Sequence, residues 1–546
     1  MPVVTPTIVS GSATMPVTYQ LVSIDIQSEI DRIPQAEIRV VDGSAVNRTF
    51  EVSDTAFFEP GADIEIKLRY EGGSDDSVFL GRVVRHSIES SRQGSILVVD
   101  LRDVAISLHG ARKSAVFAKM DDSAILDKLL TGTEVTLGSV DAPSITHGNM
   151  VQYQCTTWDF ILTRADALGL AVVVEAGTLS LKKKALSGSA KKKFECGIDE
   201  IFDLDLEADA SQQFAAIAST AWDPKTQALT SSSQAESVTL SPGNLDAATL
   251  AKAVGNSSQA LNHAVPVAEN ELQAWADGQM ARSRLAMLRG RVSLPGLATL
   301  KLLDVIELAG MGKRFSGTTL ITGIRHRVDR AGWRTDIQVG GQPEGFVQRT
   351  SVQPPPASGL LPAARGLQIG VVADYEEDSD GELRVKVLLP SVDMEKTSAV
   401  WARLATPDAG SGRGFYFRPE PKDEVIVGFL NDDPRCPIIL GSLFGSKNTQ
   451  PTSMGAPTAE NQKRGVVSKK GITLGFIDAD KPSAFIATPK GNKLLIDDSA
   501  GGISLTDQNG NSITLDKNGI TITSAKALTI TASKDVAISG SKVNIK

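Results

Sequence analysis

Cysteine is scarce: Cys155, Cys196 and Cys436 are the only three in 546 residues. They are far apart and odd in number, without a CxxC pair or a histidine at ligand spacing, so neither a disulfide frame nor a metal site is expected. Buried structural thiols are the simpler reading. Aromatics make up only 5% of the chain, and a formal charge of −8 leaves no basic excess for a nucleic-acid face. The five histidines, His86, His109, His147, His263 and His326, never fall in HExxH spacing, and no GxSxG occurs. Zinc-hydrolase and serine-hydrolase chemistry are therefore unsupported. No Lys or Arg precedes Arg32 and no apolar leader stands there, so synthesis in the cytoplasm without a signal peptide is expected. Long hydrophobic runs are missing too; Leu168 to Val174 is the densest, and Glu175 stops it. What remains, 41% hydrophobic and 22% charged with 48 glycines, is the composition of a β-rich globular protein.

At this length several domains are expected. Residues 1–115 read as a β-rich domain. Leu21 to Ile26 and Glu37 to Val41 are extended and apolar, and Ile64 to Tyr70 alternates as a half-buried strand should. Residues 116–350 read as an α+β section. It has a helix from Ala124 to Leu130, a second from Trp158 to Leu168 stopped by Gly169, and a long one from Glu269 to Arg289 ending at Gly290. Pro354-Pro355-Pro356 marks a linker over 351–365. Residues 366–447 then carry five short β segments: Gly370 to Ala373, Leu383 to Leu388, Val400 to Leu404, Glu424 to Phe429 and Pro437 to Leu443. Five strands in so short a span predict a small OB-type barrel. Residues 448–493 are left as a connector. Gly310-Met311-Gly312-Lys313 and Gly410 to Gly414 lack the setting of a phosphate loop and read as hairpin loops. Lys182 to Lys184 and Lys191 to Lys193 read as solvated loops, with an acidic patch on a partner as the sharper alternative.

The tail, 494–546, repeats one device. Apolar–x–apolar pairs stand at Leu494/Ile496, Ile503/Leu505, Ile513/Leu515, Ile520/Ile522, Leu528/Ile530, Val536/Ile538 and Val543/Ile545, beginning 9, 10, 7, 8, 8 and 7 residues apart. Turn formers such as Asp507-Gln508-Asn509-Gly510 separate them. Both members of a pair point to one face, and the residue between (Ser504, Thr514, Thr521, Thr529, Asn544) to the other. A short fixed period is the mark of a repeat architecture. Two apolar side chains per repeat make too thin a stripe to enclose a core in one chain. Three chains sharing an axis make a dry one, so an intertwined trimer with those fourteen residues at its core is expected. A surface-exposed β-meander is the alternative. The fold class is mainly β with an α+β hub, an OB-fold barrel and a C-terminal trimeric β-helix.

The module order resembles the VgrG spike of type VI secretion and the hub-and-spike proteins of phage-tail-like contractile injection systems. Val400-Trp401-Ala402-Arg403-Leu404, Asp423-Glu424-Val425 and Phe429 to Ile439 in the barrel carry the likeness. Val151-Gln152-Tyr153, Trp158 to Ile161 and Gly332-Trp333-Arg334-Thr335 carry it upstream. Ser23 to Ile26, Arg32-Ile33-Pro34 and Phe58 to Gly61 look closer to the extracellular branch. The resemblance implies a homotrimer whose hub caps an inner tube and whose spike pierces a target envelope to deliver effectors. It implies a PAAR-type tip protein on Val543, Asn544, Ile545 and Lys546, the inner tube protein, baseplate proteins and effectors as partners, and only mechanical contact with the target membrane. The particle is extracellular or enters the target cell. No nucleic acid, cofactor or metal is expected, and no enzyme: the chain stops at Lys546 within a repeat, with no room for a toxin after it. The alternatives are an enzymatic effector activity within the hub, around residues 180–265, and a receptor-binding tail fibre. The fibre reading is weakened by the lack of any aromatic from 494 onward.

Overall fold

A computed structural model describes residues 3–545 apart from positions 45, 47, 93, 185–186, 237, 239–242 and 394–397. The chain divides into two units, Met1–Pro354 and Pro355–Lys546. The division falls in the Pro-rich stretch, where proline rings fix φ and remove backbone donors.

The first unit is organised by one large sheet. Its first half holds β1 (Val4–Ser10), β2 (Leu21–Glu29), β3 (Gln35–Val41), β4 (Asp63–Tyr70), β5 (Asp76–Ser91) and β6 (Gly94–Arg102). Its second half holds β7 (Lys192–Glu195), β8 (Asp203–Ala208), β9 (Leu288–Pro295), β10 (Val305–Ala309), β11 (Gly317–Asp329) and β12 (Gly332–Val339). Alternation places the strands: Ile64, Ile66 and Leu68 of β4 are wholly buried while Glu65 and Lys67 between them are half-buried. The continuous path runs β8-β9-β12-β11-β2-β3-β6-β5-β4-β1, with β10 on β11 and β7 on β10.

The two halves follow one plan. Both run β1-β4-β5-β6-β3-β2 or its counterpart β7-β10-β11-β12-β9-β8, so each strand has a twin six places on. Register repeats as well as order. Ser91 faces Gly94 across the β5–β6 turn as Asp329 faces Gly332 across β11–β12, and each ladder slips at the same step, between Val83 and Arg85 and between Ile321 and Gly323. Just beyond, Gly61 donates to the Val83 carbonyl as Leu303 does to that of Ile321. Both donors have left-handed backbone, φ 99° and 69°. A leucine held in that region is costly, and its twin is the glycine that adopts it freely. One difference stands out: β1 pairs β4 antiparallel, whereas β7 pairs β10 parallel.

Two insertions carry the helices. α1 (Asp122–Leu130) is capped by the Asp121 carboxylate and α2 (Thr157–Ala167) by the Thr156 hydroxyl; α3 is Glu269–Ala286. Gly169, at φ 68°, ends α2, and a Cβ on it would lie 2.5 Å from Cα of Gly278 in α3, so the backbones touch there. A buried network ties the three helices. Arg164 Nε donates to Asp122 Oδ1 at 2.8 Å, Arg164 Nη1 to Glu271 Oε1 at 2.9 Å, and His147 Nε2 lies 2.8 Å from Asp122 Oδ2. Burial works against ionised Asp122, but hydrogen bonds from Arg164 and His147 outweigh it and hold its carboxyl below the ordinary range.

Some expectations change. The long helix ends at Ala286 rather than Arg289, because Leu288 to Pro295 is taken as β9 between β8 and β12. The lysine runs are not simply solvated loops. Lys182 and Lys183 end a strand (Thr178–Lys183), and Lys192 and Lys193 lie in β7. Lys184 sits beside Asp31, where burial pushes its pKa down and the Asp31 charge opposes that.

In the second unit, β13 (Gln368–Val372), β14 (Val385–Leu388), β15 (Ala399–Leu404), β16 (Glu424–Phe429) and β17 (Pro437–Ser442) close a five-stranded barrel in the order β13-β14-β15-β17-β16. Val372, Val385, Val387, Ala402, Val425, Val427 and Ile439 fill it. Gly410 to Gly414 forms the tip of a small hairpin outside it.

Candidate functional site: an open apolar sheet face

Seven strands follow the barrel: β18 (Lys463–Val467), β19 (Thr473–Ile477), β20 (Ser483–Ala487), β21 (Lys493–Asp497), β22 (Gly502–Thr506), β23 (Ser512–Asp516) and β24 (Gly519–Thr523). Each is antiparallel to the one before, in an unbroken meander. The turns carry what reversal needs. Asp507 Oδ1 accepts from the backbone N–H of Asn509 at 2.9 Å and of Asn511 at 2.8 Å. Its Oδ2 accepts from the two side-chain amides at 3.0 and 2.8 Å. Those bonds, Asn511's first, hold the carboxyl far below the usual carboxylate range. Between β23 and β24, Asp516 accepts from Asn518 N at 2.7 Å and Gly519 takes φ 121°.

Register then sets the chemistry of the face. Leu494 lies opposite Leu505 and Ile496 opposite Ile503; Ile503 lies opposite Leu515 and Leu505 opposite Ile513; Ile513 lies opposite Ile522 and Leu515 opposite Ile520. Upstream, Ile486 meets Leu494, Ala484 meets Ile496, and Leu474 and Phe476 meet Ile486 and Ala484. The result is two adjoining apolar columns along one face of a single sheet. Among the described residues nothing in the same chain covers them: the large side chains in these columns, from Val466 to Ile522, are 38–69% exposed. Ser504, Thr514 and Thr521 take the opposite face.

Of the fourteen expected core residues, the structure brings together eight, Leu494, Ile496, Ile503, Leu505, Ile513, Leu515, Ile520 and Ile522. The other six, Leu528, Ile530, Val536, Ile538, Val543 and Ile545, follow the last strand and are exposed. Val543, Asn544 and Ile545 of the expected tip site are also exposed and outside any strand; Lys546 lies outside the described residues. Two points differ from expectation. Residues 463–523 make their backbone hydrogen bonds within the chain, because turns such as Asp507–Gly510 are tight enough to reverse it. What they leave uncovered, beyond the outer edges of β18 and β24, is side-chain surface. The sheet also begins at Lys463, inside the stretch assigned to a connector. The signal was present there, since Leu474/Phe476 and Ala484/Ile486 are further apolar–x–apolar pairs ten residues apart.

Residues 1–330 match the family model described as the Alg8 N-terminal domain. The chain belongs to that family. Residues 368–444, the barrel, match the type VI secretion system/phage-baseplate injector OB domain. Residues 483–546 match the phage baseplate V C-terminal trimerisation domain. The strands from β20 onward, with most of the open face, lie within that trimerisation-domain match. The chain is 27% identical over 221 residues to the type VI secretion system spike protein VgrG1b of Pseudomonas aeruginosa, covering 38% of this chain and 30% of that one. It is 44% identical over 75 residues to spike protein VgrG3 of Vibrio cholerae, covering 13% and 7%. The chain spans less than a third of the length of the curated relatives it matches. Among solved structures it is similar to the tail protein from Neisseria meningitidis MC58, with a TM-score of 0.46, 14% identity, and coverage of 62% and 96%. It is also similar to the Francisella PdpA–VgrG complex, half-lidded, with a TM-score of 0.40, 10% identity, and coverage of 96% and 88%. Among the described residues no helix is long and apolar enough to cross a membrane.

Proposed function

We propose that this chain is the trimeric hub and spike of a contractile injection system, capping the inner tube and piercing a target envelope to deliver effectors. The observation that carries the reading is the meander's open face: two apolar columns, most of whose length matches a trimerisation domain, in the same unit as a barrel that matches an injector OB domain. Three such faces turned to one axis give each chain's apolar surface the cover it lacks alone, at a gain proportional to the area removed from water. A sheet backed by two others bears axial load without needing any catalytic group, so the role proposed is mechanical rather than enzymatic. A PAAR-type tip protein is the proposed partner of Val543 to Lys546, with the inner tube and baseplate proteins at the other end and effectors as cargo. The particle is proposed to be a phage-tail-like one that acts outside the cell that makes it. The test is the native mass of the full chain by light scattering. Three times 57.8 kDa is the expected result, and a monomer with an ordered tail would overturn it.

A further inference from the structure

A cavity of about 480 Å³ lies in the first unit, lined by the turn between β2 and β3, by α2 and α3, and by the residues after β12. That volume is in the range of small-molecule sites. One wall of it carries unbalanced charge. Lys184 is acted on by two further cations, Arg282 and Arg349, and by two carboxylates, Asp31 and Asp166. Asp166 is already committed: its Oδ1 accepts from Arg282, and its Oδ2 accepts from the backbone N–H of Phe346 at 3.0 Å. Asp31 is pinned by Val172, whose N–H donates to Oδ1 at 2.8 Å and whose carbonyl accepts from the Asp31 N–H at 2.8 Å. The Asp31 backbone is left-handed there, at φ 61°, a conformation an aspartate adopts at some cost. The side chains of Lys184 and Arg349 make no hydrogen bond or ion pair among the described residues. Three cations against two carboxylates leave this wall one positive charge in excess.

A second observation comes from α2. Asp159 lines the same cavity and is only 8% exposed, yet its carboxylate accepts no hydrogen bond and forms no ion pair among the described residues. A carboxylate placed so deep is costly without a partner and stable with a cation against it. The other charged groups of the lining do not answer it. Glu29 pairs with Arg32 at 3.0 Å, Arg102 donates to the Leu101 carbonyl at 3.0 Å, and His109 and Glu344 are exposed.

We propose that this cavity binds a zwitterion of short-peptide size, with its carboxylate on Lys184 and Arg349 and its ammonium on Asp159. One end of such a ligand supplies the anion that the Lys184 wall lacks, and the other supplies the cation that Asp159 lacks. A simple anion would leave Asp159 unpaired, and a simple cation would leave Lys184 so. Asp159 is not among the charges that act most strongly on Lys184, so the two ends of the ligand are set apart, as in a peptide rather than a single amino acid. All these residues belong to one chain, so the site does not depend on the trimer proposed above.

The test is calorimetric titration of the full chain with triglycine, alongside N-acetyl-triglycine, triglycine amide and inorganic phosphate. Triglycine is expected to bind, and each of the other three at least tenfold more weakly. Asp159→Asn is expected to weaken triglycine at least tenfold and to erase the difference that acetylation makes; Lys184→Met is expected to erase the difference that amidation makes. The blocked peptides probe both contacts on unaltered protein, so the outcome stands even if a variant fails to fold. No binding of triglycine up to about 10 mM would overturn the proposal. So would phosphate binding as tightly as triglycine, or equal affinity for free and blocked peptides.

Discussion

Replacing Ile503 by aspartate tests the open face most directly. Ile503 lies in the second column, opposite Ile496 on one neighbour and Leu515 on the other, and 41% of it is exposed in the single chain. Burying that remainder is worth about 1 kcal/mol, given about 1.5–3 kcal/mol for a whole aliphatic side chain. Three copies lose about 3 kcal/mol of apolar contact at that layer. The larger effect is the carboxylate. Three of them meeting at a dry axis must each be neutralised or stay charged without a partner, at several kcal/mol apiece, so the total is on the order of 10 kcal/mol against assembly. Ser504→Asp, one position along on the opposite face, puts the same charge in water and is the control. Sedimentation equilibrium across a range of concentrations reads both. Ile503→Asp is expected to sediment as a monomer, and Ser504→Asp as the wild-type trimer. A soluble, intact trimer for Ile503→Asp, or equal disruption by both, would refute the assignment of the apolar columns to the trimer axis.

Two further outcomes concern the first unit. His326 is buried against Trp333, with Nδ1 3.0 Å from Thr335 Oγ1, and burial lowers its pKa to about 4 while Asp336 opposes the shift. The unfolded chain therefore binds a proton below its ordinary pKa near 6.5 that the folded chain refuses until about 4. Stability is thus lost as pH falls through that window, by about 3 kcal/mol at its lower end. His326→Gln should flatten the unfolding midpoint between pH 6.5 and 4 relative to wild type; the same slope in both would contradict it. Arg164→Ala removes the guanidinium that bridges Asp122 and Glu271, and should cost the hub about 3–5 kcal/mol by urea denaturation. A loss under about 1 kcal/mol would mean the network is not holding the helices together.

The barrel and the tail repeat were legible in the sequence because both are local. Strand alternation, turn residues and the apolar–x–apolar period each span fewer than a dozen positions, and Ile503-Ser504-Leu505 announces its face without help from anything distant. The start of the meander was hidden because Leu474-Gly475-Phe476 and Ala484-Phe485-Ile486 mix aromatic and small residues where the later pairs are aliphatic. Gly475 is required there: a Cβ on it would run into the Phe485 ring. The duplicated hub plan was not legible at all. Its twins share geometry rather than residues, as Ser23-Ile24-Asp25-Ile26 against Asp203-Leu204-Asp205-Leu206 shows, and the insertions after β6 and β8 break any fixed spacing. Only register and the matching left-handed residues at 61 and 303 reveal it.

Where each segment of the tail finds its backbone partners decides what trimerisation has to supply. From Lys463 to Thr523 every strand is laddered to its neighbour in the same chain, so apart from the outer edges of β18 and β24 the ladder is complete before any second copy arrives. Assembly of that stretch is a matter of covering apolar side chains, an undirected force proportional to area. Past Thr523 the apolar pairs continue at Leu528/Ile530, Val536/Ile538 and Val543/Ile545, but no strand of the same chain pairs with these residues among those described. Their peptide groups have no ladder and their side chains no cover, so this segment gains most from neighbouring copies. The ladder of the meander is thus made within one chain, and its open face is what other copies cover. The last repeats differ, because their order depends on three chains already lying side by side.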